Sequence, residues 1–260
     1  MSAREGSPLL GADDPSPVRV TNERGQAKIL LIGDHAGNAI PASLGDLGVS
    51  AEDRARHIGW DLGVQALGEE LAWSLDATFV SQRFSRLVID CNRDPRSPRA
   101  ILEVSDGTPI PGNSTLGPAE REERRAAIHE PYQQRIAAEI AVRRDRGLQP
   151  AIVALHSFTP VLGAEQRPWQ LGILHDAGDT RLSHAMLSRL RRESGLTIGD
   201  NEPYRMDGTD YTIPRHAYPG GGLYLEVEFR QDLLSEAAER SRWAARFAGW
   251  LADAMAAVAR

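Results

Sequence analysis

The sequence predicts a three-layer α/β/α fold built on a mixed, largely parallel sheet. Two observations lead there. Short continuous apolar runs, at 29–33 (ILLIG) and 151–155 (AIVAL), have the pattern of strands buried on both faces. These runs alternate with amphipathic helical stretches, as in sheets covered on both sides.

The elements follow in order. After the first run, residues 51–56 read as a short helix capped by Ser50. A second helix opens at Gly59-Trp60-Asp61, with Leu62, Ala66, Leu67, Leu71 and Leu75 at helical spacing. Residues 77–81 and 86–91 read as strands, on branched and apolar content. Residues 94–118 are rich in Pro and Gly, without periodicity; a loop of this length is more often functional than merely connecting. Residues 119–146 read as helical, divided at Pro131 and stopped by Gly147, with the REERR run as a solvated face. A strand at 170–174, a helix from Asp179 to Glu193 ended by Gly195, and a last strand at 223–229 follow. From Gln231 onward a long helix carries Trp243, Phe247, Trp250, Leu251 and Met255 on one stripe, a face suited to covering a core.

With 260 residues and 41% hydrophobic content, one large domain is expected at 28–260, preceded by a polar, partly ordered leader at 1–27. The net charge of -6 gives no reason to expect nucleic acid or an anionic membrane as partner. No apolar run approaches the roughly 20 residues of a membrane span. The first residues lack the basic start and apolar core of a secretory signal. The single cysteine, Cys91, fits a reducing compartment, so a cytoplasmic protein is expected. It lies in an apolar run and reads as a buried inert thiol. Nothing in the sequence separates a monomer from a homodimer.

The chemistry-bearing residues cluster at strand ends. His35 and His156 each follow a buried run directly. Alone, such a histidine is more often a turn residue. Two with the same placement favour a shared site, because ligands bind past the carboxyl ends of strands in open α/β sheets. Zinc takes imidazole and carboxylate ligands and, in catalytic sites, keeps a position open for water. Asp61 is a candidate third ligand; a helix N-terminus is its other explanation. Glu226 and Glu228 project from one face of the last strand, and Arg230 continues that face. A carboxylate there suits a general base. On an edge strand the same residues would be exposed, with Arg230 as ion-pair partner. Arg86, Asn92 and Arg93 flank the 86–91 run and could bind an acidic small molecule. His216 lies just before the last strand and is a further substrate-binding candidate.

Several stretches together resemble the N-formylglutamate amidohydrolase family: DHAGNAIP (34–41), HIGWDLG (57–63), SRLVIDCNR (85–93), LHSFTP (155–160), DNEPY (200–204), YTIPRHA (211–217) and EFRQDLL (228–234). They occur in order across most of the chain. The resemblance implies a fold similar to zinc carboxypeptidases and aspartoacylase, one zinc ion, and hydrolysis of N-formyl-L-glutamate to formate and L-glutamate. It implies His35 and His156 as zinc ligands, Glu228 as base, Arg86 as the group polarising the scissile carbonyl, and Asn92 with Arg93 on the substrate carboxylate. Relatives carry a carboxylate three residues after the first histidine, where this chain has Asn38. The third ligand is therefore Asp61, with Asn38 and Glu226 as the alternatives. The 94–118 segment would be a lid. Competing readings are a zinc deacylase or carboxypeptidase for another N-acyl amino acid or peptide, and a non-catalytic binding protein that has lost the metal.

Overall fold

The computed structural model describes residues 8–259. The first seven residues of the expected leader lie outside the described residues. The strands are β1 (Val18–Thr21), β2 (Ile29–Gly33), β3 (Thr78–Gln82), β4 (Val104–Ser105), β5 (Thr108–Pro109), β6 (Ala151–Phe158), β7 (Val161–Leu162), β8 (Glu165–Gln166), β9 (Leu171–Leu174), β10 (Ile198–Asp200) and β11 (Tyr224–Arg230). The helices are α1 (Ala51–Arg54), α2 (Val64–Ser74), α3 (Pro118–Arg124), α4 (Glu130–Asp145), α5 (Arg181–Leu190), α6 (Thr212–His216) and α7 (Ala237–Val258).

One seven-stranded sheet runs in the order β1-β3-β2-β6-β11-β9-β10. β3, β2, β6 and β11 are parallel; β1 and β9 run against their neighbours, and β10 is parallel to β9. β4 with β5 and β7 with β8 form small separate hairpins.

Strand parity divides the core in two. Leu31, Val153, Val227 and Phe229 face one side, where α2, α5 and α7 cover them. The Trp243–Phe247–Leu251 stripe of α7 lies there, as its spacing predicts. Leu30, Ile152, Ala154 and Tyr224 face the other side, packed against Tyr132, Ile136 and Ile140 of α4. Glu226, Glu228 and His156 share the parity of this second face, but further along it, at the carboxyl edge of the parallel strands. The chain therefore leaves a hollow there with acids and a histidine as its floor.

Several sequence expectations change. Val18–Thr21, within the stretch set apart as leader, pairs with β3 as an edge strand. Residues 86–91 are not a strand. Their backbone groups bond to buried side chains: Asn113 to Leu87 O, Arg124 to Val88 O and Gln133 to Cys91 O. A buried backbone needs partners, and a ladder is only one way to supply them. The REERR run is not wholly solvated either. Arg124 is 1% exposed and donates to Asn113 Oδ1 as well as Val88 O. A π-helical turn over Arg125–His129 joins α3 to α4, and Pro131 lies just beyond it, so the helical backbone continues through the proline. No helix among the described residues is long and apolar enough to cross a membrane.

Candidate metal centre and active site

His35 follows β2 directly, in a turn that needs glycine. A Cβ on Gly37 would lie 2.1 Å from Arg83 O, so no other residue lets the chain pass. His156 sits inside β6 rather than beyond its end. Asp61 joins the two segments. Its N–H donates to His35 O at 2.8 Å, and its Oδ2 accepts from Ser157 N at 3.2 Å. Asp61 is thus bonded to the backbone on both sides and does not cap α2 with its side chain.

Asp61 Oδ2 lies 3.0 Å from His156 Nδ1 and 3.5 Å from His35 Nδ1. One ligand atom from each of the three lies within 4.8 Å of the others, and all three residues are buried. The far nitrogens face carboxylates. His35 Nε2 lies 2.7 Å from Asp90 Oδ1, and His156 Nε2 is 3.5 Å from Asp34 Oδ2. Asp90 holds the His35 ring with Nδ1 toward Asp61, and a metal bound there would take the Nδ1 lone pairs in place of protons. Burial works against the Asp61 anion, but His35 and His156 outweigh it and hold the carboxyl below its usual range.

These residues fit a divalent cation. His35 Nδ1 is buried without a hydrogen-bond partner, and two imidazoles with a carboxylate are a donor set for zinc. Asn38 donates its amide N–H to Arg54 O and is not among the residues lining the cavity above the group.

A cavity of about 530 Å³ opens over this group. Glu226 and Glu228 line it, each with a buried Oε2 that has no partner. The parallel register sets Glu228 beside His156 and Glu226 beside Ala154, so Glu228 lies level with the histidine. Burial pushes the Glu228 carboxyl up to about 7 and that of Glu226 to about 8. β11 lies between β6 and β9, so the exposed edge-strand explanation fails.

Arg86 reaches the cavity wall, where Asp90 Oδ2 accepts from Nη2 at 2.6 Å and from Nε at 3.2 Å. Arg93 also lines the cavity and donates through Nη1 to Asn92 O and Asp210 Oδ1. Asn92 lines it too, but its Oδ1 accepts the N–H groups of Tyr211 and Thr212, so it positions the start of α6.

Two expected residues are elsewhere. Arg230 pairs with Asp232, two residues on, because β11 ends and the chain turns away there. The His216 ring faces Gln133 Oε1 at 2.7 Å, behind the cavity. Burial lowers its pKa to about 4. The sequence offers Asp90 only as an ion-pair partner for the nearby arginines, which it is for Arg86, and offers no role for Asp34. Arg99, Tyr204 and Arg205 also line the cavity, from loops without any period to mark them.

The family model for N-formylglutamate amidohydrolase matches residues 27–235. The chain belongs to the N-formylglutamate amidohydrolase family. It is therefore an amidohydrolase, as its ordered motifs imply. A crystal structure of a gene product from Agrobacterium tumefaciens is 37% identical with a TM-score of 0.93, covering 97% of this chain and 100% of that one. The N-formylglutamate amidohydrolase from Ralstonia eutropha is 22% identical, with a TM-score of 0.62 over 91% of this chain and 98% of that one. At that identity the likeness concerns the fold, which agrees with the layered α/β architecture. Among curated proteins none matches the chain in sequence.

Proposed function

We propose that this amidohydrolase uses one zinc ion to cleave N-formyl-L-glutamate, or a close N-acyl amino acid, to the free acid and amine. The observation that carries the reading is the convergence of His35 Nδ1, Asp61 and His156 Nδ1 beneath a cavity that Glu228 also lines. Held by those three residues, zinc would polarise the amide carbonyl and acidify a neighbouring water. Glu228 removes a proton from the attacking water and returns it to the leaving nitrogen. Its burial raises its pKa and so makes it a better proton acceptor and, once protonated, a competent acid near neutral pH. Arg86, held by Asp90, donates to the oxygen that gains charge as the carbonyl carbon becomes tetrahedral. The Nη2 of Arg93, which no protein group takes up among the described residues, faces the substrate α-carboxylate. Asn92 sets the loop beside it.

Formate release from N-formyl-L-glutamate, with and without a chelator, tests the reading. Release that the chelator abolishes and added zinc restores supports it. Chelator-insensitive release, or no release by zinc-loaded protein, overturns it.

A further inference from the structure

The cavity carries four arginines, and they differ in how they are held. Arg86 is fixed by Asp90, and Arg93 by Asn92 O and Asp210. Arg99 and Arg205 are exposed, line the same cavity, and have guanidinium groups with no ion pair or hydrogen bond among the described residues. They come from different segments: Arg99 from the short 3-10 turn Pro98–Ala100, Arg205 from the loop after β10.

The acids nearby make no hydrogen bond or ion pair with either guanidinium, although Asp207 lines the same cavity as an anion. Asp207 Oδ1 accepts from Thr209 N, while Asp210 takes Asp207 N on Oδ2 and Arg93 on Oδ1. A substrate with two carboxylates needs a second cationic contact beyond Arg93. Arg230 does not supply it, being paired with Asp232 outside the cavity.

We infer that Arg99 and Arg205 form a second anion subsite that receives the side-chain carboxylate of the substrate, selecting N-acyl dicarboxylic amino acids over neutral ones. The inference rests on the amidohydrolase reading above and adds its specificity. A guanidinium fork matches a carboxylate in two parallel hydrogen bonds, and neither of these two is committed to a protein partner among the described residues. At an exposed mouth solvent weakens each contact, so each arginine is worth about 10-fold in binding.

The test compares N-formyl-L-glutamate with its neutral isostere N-formyl-L-glutamine on the zinc-loaded wild type and on the double variant R99Q/R205Q. The expected wild type prefers glutamate in kcat/KM. In the double variant that preference collapses by about 30- to 100-fold, mainly through KM for the glutamate substrate. Equal losses on both substrates, or an unchanged ratio, overturn the subsite. Calorimetric titration with L-glutamate and L-glutamine runs in parallel, because it needs no turnover. If neither substrate is cleaved, the hydrolysis reading falls. The subsite still stands if L-glutamate binds more weakly to the variant while L-glutamine does not, and falls if both bind as in wild type.

Discussion

Replacing Asp90 with asparagine removes the charge that fixes the His35 ring. Asp90 Oδ1 faces His35 Nε2 at 2.7 Å and also accepts Asn92 N at 2.9 Å, while Oδ2 takes Arg86. An amide cannot satisfy all of these. With its NH2 at the Oδ1 position it meets two donors; with its NH2 at the Oδ2 position it meets the guanidinium. One charge-assisted contact is lost either way, worth about 1.5–3 kcal/mol. Either way the contact that holds the His35 ring loses its negative charge, so zinc affinity should fall about 10- to 100-fold. Competition between apoprotein and a chromophoric chelator measures this, with circular dichroism confirming the fold. Asp34→Asn should weaken zinc less, since Asp34 stands 3.5 Å from its histidine. Zinc affinity within threefold of wild type in folded Asp90→Asn would refute the orienting role.

Glu228→Gln should keep one zinc per chain yet release formate about 10²- to 10⁴-fold more slowly; near-normal turnover rejects it as base. In the wild type, kcat/KM should fall on the acid side along a limb set by Glu228. Burial raises this carboxyl from 4.5 to about 7, and a bound dication draws it back down, so the limb belongs between those values. A limb below pH 4 contradicts the assignment. Zinc affinity should itself rise with pH. Burial disfavours the charged His156 ring, but Asp34 and Asp61 outweigh it and raise its pKa well above 6.5; His35 is raised as well, by Asp90 and Asp61 against burial and Arg86. Zinc must therefore displace protons, gaining up to about tenfold per proton for each pH unit, and pH-independent affinity from 6 to 8 would refute this. Arg124→Met strands Asn113 Oδ1 and Val88 O and should cost about 2–4 kcal/mol in urea denaturation; an unshifted midpoint would show that these groups find other partners.

The central strands were legible because a strand buried on both faces leaves an uninterrupted apolar run, and β2 and β6 do. The same signal misled at 86–91. Leu87, Val88 and Ile89 are as buried as any strand, but Asn113, Arg124 and Gln133 satisfy the backbone from distant segments, and no local period records that. Strand parity put Glu226 and Glu228 on one face. It could not show that Arg230, on the same parity, would meet Asp232 once the strand ended. His35 and His156 were visible as polar residues at the ends of apolar runs. Asp90 was legible as an arginine partner but not as the group facing His35, and Asp34 not at all, because these contacts are made across the fold. Arg99 and Arg205 sit on irregular loops, where spacing carries no information about direction.

The sheet order has a consequence for biosynthesis. β11 fills the slot between β6 and β9, although β9 ends at Leu174 and β11 begins at Tyr224. A nascent chain halted between those points already contains both imidazoles and Asp61, yet has two unpaired strand edges, the kind of surface that recruits other chains. The strand that seals that gap is also the one that brings Glu228. The insertion that covers those two edges is therefore the same one that completes the lining of the cavity.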